Sequence, residues 1–239
     1  MSPSSRPARD YSWSFEFSVR QILILLILLF IARPIVESDW GQRVETVLYS
    51  LVLLTTLVAV GARRVELLLS LVLILPALTF RWLSHLFSLA PADPLPRVCM
   101  ALAFCFTIFQ LLRFVVRARR VNLDVLCAGI SVYLLLGQVW GLFYLLVDRW
   151  VPGSFIYPGL AGHAVALGRE EALYFSMCTL TTAGYGDIVP SSPFARTLAT
   201  FESTTGVLYM AVLIGRLVAL HLADHARSRP ATEDTKPSP

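Results

Sequence analysis

Between Thr179 and Pro190 the chain reads TLTTAGYGDIVP, with Gly184 and Gly186 one residue apart. Glycines at that spacing do not build a helix. They let alternate residues take a left-handed backbone, because only glycine reaches φ > 0 without a Cβ penalty. In a strip of alternating hand, successive carbonyls can point to one side. Thr182, Ala183, Gly184 and Tyr185 would then present a row of backbone oxygens, with the Thr182 hydroxyl as a further ligand. The chemistry on offer is replacement of a monovalent cation's water shell by neutral oxygens. One strip cannot surround an ion, whereas four copies about an axis can, so the segment implies a homotetramer. The simpler reading of the same residues is a turn joining two helices, and the flanking segments must separate the two.

Upstream, Ala172 to Thr181 has helical character over about ten residues, half of what a membrane crossing needs. Glu170 and Glu171 open it at the end where the helix macrodipole favours anions. Its C-terminal end would face the bilayer centre, where non-helical backbone is tolerated only if buried in protein or lining water. The 239-residue chain is apolar enough for this: 56% of it is hydrophobic, 15% is charged and the mean hydropathy is +0.67. A soluble domain carries about a quarter charged residues. An integral, multi-pass membrane protein follows, with lipids as its surroundings and an all-α fold.

Six apolar blocks approach spanning length: Val19–Val36, Val44–Ala62, Val65–Trp82, Arg97–Val116, Leu123–Val147 and Arg196–Ala223. The first is read as a retained helix, since no small-residue cleavage site follows it. With six spans, most of the 20 basic residues fall on one side, among them the Arg63-Arg64 pair and the RARR run at Arg117–Arg120. The positive-inside bias then makes both termini cytoplasmic. Residues 1–18 form a cytoplasmic N-terminal segment, 19–120 a peripheral four-helix module, 121–225 the pore, and 226–239 a short disordered tail. Cys99, Cys105, Cys127 and Cys178 have no metal spacing or disulfide pattern and read as small buried hydrophobes. The net charge of +4 is explained by topology, so no nucleic-acid partner is expected.

TTAGYGD resembles the selectivity filter of the tetrameric potassium channel family, whose usual core is Thr-Val-Gly-Tyr-Gly-Asp. The likeness extends to Tyr174-Phe175, where the family has an aromatic pair on its pore helix, and to Pro190, Arg196 and Gly206 around the inner helix. With Glu202 and VLYMAVLIGRLV, the last helix is similar to a bacterial six-helix branch of that family, and an inner membrane location is taken from that branch. The resemblance implies passive potassium conduction through a carbonyl-lined filter, with no covalent catalysis and no cofactor beyond the permeant K+. It also implies that Tyr185 packs outward against the pore-helix aromatics, and that Gly186 and Asp187 support the filter and its outer mouth. Ala183 departs from the family's valine. Its carbonyl is retained and the packing behind it is reduced, so a weakly selective monovalent cation channel is the nearest alternative. A non-conducting sensor or regulatory subunit on the same scaffold is the alternative of another class.

Other ionisable residues are weighed in the same frame. The fourth block has no arginine from Cys99 to Leu112, and Arg113, Arg117 and Arg120 cluster at its inner end, which favours anchoring over voltage sensing. Glu45 and Glu66 stand near helix edges. Glu202 lies within the last span and could steady the filter through Ser176 or Thr179, or have no role. Gly206 permits either bending or close packing, and Arg216 is read as an anchor. His221 and His225 share a helical face as a candidate gating or metal pair. No sequence signature of an enzyme is present.

Overall fold

The computed structural model of the chain describes residues 10–32, 39–60, 64–86, 94–118, 120–158 and 166–228. Seven helices run in order: α1 (Asp10–Ala32), α2 (Asp39–Val60), α3 (Arg64–Leu86), α4 (Pro94–Arg117), α5 (Leu123–Trp150), α6 (Arg169–Leu180) and α7 (Pro193–Ser228). The described part of each expected apolar block lies on one of the long helices. α1 begins at Asp10, so it includes part of the segment 1–18 set apart as the N-terminal segment. Pro34 and residues 229–239, the greater part of the expected disordered tail, lie outside the described residues.

Four helices among the described residues are long and apolar enough to cross a membrane: α3 over Glu66–Leu83, α4, α5, and α7 over Pro193–Ala223. α1 is apolar over the shorter stretch Ser18–Ala32. Its buried residues Val19, Ile22, Leu26 and Leu29 recur at helical spacing and face α2 and α5. α2 is diluted by polar residues, but Glu45, Thr46, Ser50 and Thr56 are all buried and point into the bundle. The fold is a mostly helical membrane protein.

α5 is the hub. It packs against α1, α4, α6 and α7, and 16 of its 28 residues are buried. Asn122 starts it, accepting the Val125 amide at 3.0 Å, one of the orphan donors of a helix N-terminus. Asp124 in its first turn is buried and pairs with Arg20 of α1 at 2.5 Å.

Two more links tie the elements together at the opposite ends of α3 and α7. Arg113 of α4 meets Glu66 of α3 at 2.5 Å. Arg216 of α7, expected to be an interface anchor, instead donates to the carbonyls of Val115 at 3.0 Å, Val116, and Ala118 at 3.2 Å. These carbonyls lie at and just past the end of α4, where backbone donors run out, although Val115 also accepts the Ala118 amide at 3.3 Å; the guanidinium thus caps one helix from another.

Outside the helices, β1 (Phe155–Ile156) pairs antiparallel with β2 (Val189–Pro190), with Phe155 opposite Pro190 and Ile156 opposite Val189. This two-residue ribbon was not expected from the sequence. It staples the loop after α5 to the segment entering α7, helped by the Ser191 amide donating to the Ser154 carbonyl at 2.8 Å.

α7 runs unbroken through Gly206. A Cβ built there would collide with the Leu180 carbonyl oxygen and stand 3.0 Å from its carbon. The structure therefore gives this glycine a packing role: it lets α7 approach the end of α6. Gly215, on the same helix, has open space where a Cβ would go. Gly206→Ala should lower the thermal midpoint of the detergent-purified protein by several degrees, at an overpacking cost of about 1–3 kcal/mol. Gly215→Ala should leave it unchanged. Equal midpoints for both variants would return Gly206 to the role of a hinge.

Candidate functional site

α6 spans Arg169 to Leu180, which at 1.5 Å per residue is roughly 18 Å. Glu170 and Glu171 lie in its first turn, as the macrodipole favours, and Gly168 precedes it without a side-chain cap. Its C-terminus closes in a Schellman arrangement. The Ala183 amide donates to the Cys178 carbonyl at 2.8 Å, and the Thr182 amide to the Thr179 carbonyl at 3.0 Å. That closure requires a left-handed residue, and Thr182 supplies it at φ 59°. A β-branched residue seldom takes this conformation, at a cost of about 1–3 kcal/mol, and such strain persists only where the surroundings fix it.

Left-handed backbone then recurs at every second position: Thr182, Gly184 at φ 54° and Gly186 at φ 78°. This is the alternation of hand expected from the glycines, and it starts two residues earlier than they alone indicate. Thr182, Ala183, Gly184 and Tyr185 are all exposed, and no atom lies within 4 Å of a Cβ built on either glycine. The strip is thus held at its two ends and along its back, and open toward the front.

Tyr185 stacks on Tyr174 with ring centroids 6.4 Å apart and planes 7° from parallel. The Tyr174 hydroxyl donates to Asp187 Oδ2 at 2.8 Å, and Asp187 Oδ1 accepts the Ile188 amide at 3.0 Å. One side chain of α6 therefore braces both the strip and its outer end. Phe175 does not join it. Its ring packs the other way, 4.9 Å from Tyr144 and 5.3 Å from Phe155, in a buried cluster between α5 and the β1 loop. Adjacent helical residues point about 100° apart, so an aromatic pair serves two faces.

Glu202 is fully buried, and its contacts choose between the sequence alternatives. Ser176 Oγ lies 2.5 Å from its Oε1 and 2.8 Å from the Gly137 carbonyl oxygen, while the Tyr144 hydroxyl donates to Oε2. One carboxyl thereby joins α5, α6 and α7 behind the strip. Thr179, the other suggested donor, is not part of this network in the structure. Tyr133 adds a bond from its hydroxyl to the Leu180 carbonyl at 3.1 Å.

α6 can lie this close to α5 because of two glycines. A Cβ at Gly137 would meet the Met177 sulfur, and one at Gly141 would stand 3.2 Å from the Leu173 Cα. Gly137 and Gly141 are four apart, the small-xxx-small spacing of close helix contacts in membranes. That signal was available in the sequence and was missed.

The Tyr157 phenol is pushed above its ordinary range by burial and then by the carboxylates of Glu171, Asp148 and Asp187. His221 is exposed toward the far end of α7, away from the strip, and the side chain of His225 lies outside the described residues.

A half-length helix, an alternating strip and a returning long helix have the build of an ion-channel pore loop. Residues 125–221 match the family model described as Ion channel. Two-pore potassium channel 1 of Arabidopsis thaliana is 35% identical over 98 residues, covering 41% of this chain and 22% of the relative. The inward rectifier potassium channel Kirbac3.1 of Paramagnetospirillum magnetotacticum is 32% identical over 93 residues, covering 37% of this chain and 27% of the relative. The chain thus spans about a quarter of the length of these curated relatives. No solved structure matches it significantly. The matches support a potassium-channel family, and a channel over an enzyme, for the segment that contains the strip.

Because Ser176 and Tyr144 meet on one carboxyl, their removals should not add. Ser176→Ala and Tyr144→Phe should each destabilise the protein by about 1–3 kcal/mol, as lost buried hydrogen bonds do. The double variant should fall short of the sum in thermal or chemical unfolding. Strict additivity would mean that Glu202 does not couple them.

Proposed function

We propose that the chain is one subunit of a homotetrameric potassium channel that lets K+ pass down its electrochemical gradient without covalent chemistry. The observation that carries this reading is the strip itself. Left-handed residues at 182, 184 and 186 leave an exposed run of backbone at the end of a half-length helix. In four copies, the carbonyls of Thr182, Ala183, Gly184 and Tyr185, with the Thr182 hydroxyl, would take the place of an ion's hydration shell, and adjacent sites would let ions repel one another onward. K+ is cargo here, and no resident cofactor is invoked.

Three further parts of the reading rest on physical arguments. Six crossings are favoured because α1 and α2, with 23 and 22 residues, are long enough to cover a hydrocarbon core of about 30 Å. Glu45, Thr46, Ser50 and Thr56 of α2 are turned into the bundle and away from lipid. Assembly is favoured because the strip is open on one side and α7 exposes Phe201, Val207, Leu208 and Val212 around it. Both termini are placed in the cytoplasm by the basic clusters, and the bacterial inner membrane is the location we infer. The names of the curated relatives agree with potassium as the ion.

Purified protein in a planar bilayer, with potassium on one side and sodium on the other, tests the reading. The current should reverse at a potential strongly favouring potassium, and Gly184→Ala, which places a Cβ at φ 54°, should reduce it by at least tenfold. A robust current reversing near zero would make this a weakly selective cation channel, the reading that Ala183 favours. Absence of current across voltage and pH would favour a non-conducting subunit.

A further inference from the structure

The described residues at the start of α6 hold a charge in an unfavourable place. Arg169 is the first residue of α6, where the helix macrodipole disfavours a cation. Its guanidinium reaches back across the molecule to α2 and meets Glu45 Oε2 at 2.9 Å. The same oxygen pairs with Arg81 of α3 at 2.7 Å. Glu45 is 1% exposed and Arg81 12%, whereas Arg169 is 45% exposed.

The three members are therefore not equivalent. Arg81 is fixed within the peripheral helices: it also donates to Thr46 Oγ1 at 3.1 Å, and it lies 5.0 Å from the centre of the Tyr49 ring. A buried carboxylate needs such a permanent partner, since an unpaired one is strongly disfavoured. Arg169 is the half-exposed member that arrives from the pore segment. The rest of α6 is tied to α5 and α7 through Ser176 and Leu180, near its C-terminal end. Its first turn is tied to α2.

We propose that Glu45 is the anchor by which the peripheral helices position the pore helix, so that making or breaking the Glu45–Arg169 pair adjusts the strip that α6 supports. This rests on the channel reading and adds a regulatory input to it. Glu45 and Arg169 are positioning residues, because neither faces the strip. The peripheral helices would then act on conduction through the outer end of α6, without an arginine ladder in α4.

Arg169→Gln is the informative variant, since its side chain is half exposed and its loss strands no buried charge. By the macrodipole alone, removing this cation should steady the first turn of α6. The proposal requires the opposite sign. Amide hydrogen exchange of the full-length protein in nanodiscs should quicken roughly threefold over the first turn of α6, the range expected for one partly exposed ion pair. Arg169→Lys should restore most of the protection, and Glu45→Gln/Arg169→Gln should be no worse than Glu45→Gln.

Single-channel bursts in potassium should shorten several-fold in Arg169→Gln, an effect that a merely structural contact would not produce. Unchanged or slower exchange would overturn the anchor, and faster exchange with unchanged bursts would overturn its role in conduction. A parent chain that carries no potassium current would sink the channel reading and the regulatory role together, while the exchange series would still decide whether Glu45 holds the helix.

Discussion

Non-helical backbone among membrane helices must have its peptide groups satisfied by protein or water, and the strip from Thr182 to Asp187 is such backbone. The arrangement around it follows from that constraint. The first amides of the strip are spent on the C-terminal carbonyls of α6, so the helix end and the strip satisfy each other. Just past the strip, Asp187 takes the Ile188 amide and is itself held by Tyr174. What remains open is the front face, where only an ion, water or a second copy of the chain can supply partners. A strip closed on all sides would be inert, and one unsupported behind would collapse.

Support from behind needs α6 to lie very close to α5 and α7, and close approach is a matter of side-chain size. Gly137, Gly141 and Gly206 remove the Cβ atoms that would separate the helices. Dispersion contacts are gained over the whole surface so joined, while each glycine sacrifices some helix propensity. In a membrane this exchange is favourable, because lipid provides no hydrophobic drive to pull apolar helices together. The peripheral helices share one apolar core with α5, and charged groups add further ties: Arg20 to Asp124, Arg216 to the end of α4, and Arg169 to Glu45. Close glycine contacts are confined to α5, α6 and α7, while ion pairs and helix caps lie between these helices and the first four.

The helices and the strip were legible in the sequence because each depends on local pattern. Apolar blocks of spanning length declare α3, α4, α5 and α7, and the two glycines declare the alternating hand. Thr182 was not legible as left-handed, since its conformation is imposed by the helix end it closes. The split of Tyr174 from Phe175 likewise depends on which neighbours each face meets. Glu202 could be located as buried, but Tyr144, 58 positions away, could not be named as its partner. Glu45 shows the same limit more sharply. Read by position, it was a helix-edge residue, whereas its partners lie on α3 and at the start of α6, 36 and 124 positions along the chain.

The buried carboxyls of Glu202 and Glu45 differ in a way that bears on how α6 is held. Glu202 is met by hydroxyls from Ser176 and Tyr144. A hydroxyl can either donate or accept, so each can face either form of the carboxyl, although Ser176 has a single proton for Glu202 and the Gly137 carbonyl. Glu45 is met by two guanidinium groups, which donate only and match the charged form. The C-terminal half of α6 is thus secured by hydroxyl bonds, and its first turn by an ion pair that depends on charge. A helix fixed at one end by neutral bonds and at the other by an ion pair has a built-in asymmetry. A change of the local field, whether by salt, lipid headgroups or a shift of α2 against α3, would reach α6 at its first turn, through the ion pair and not through the hydroxyl bonds.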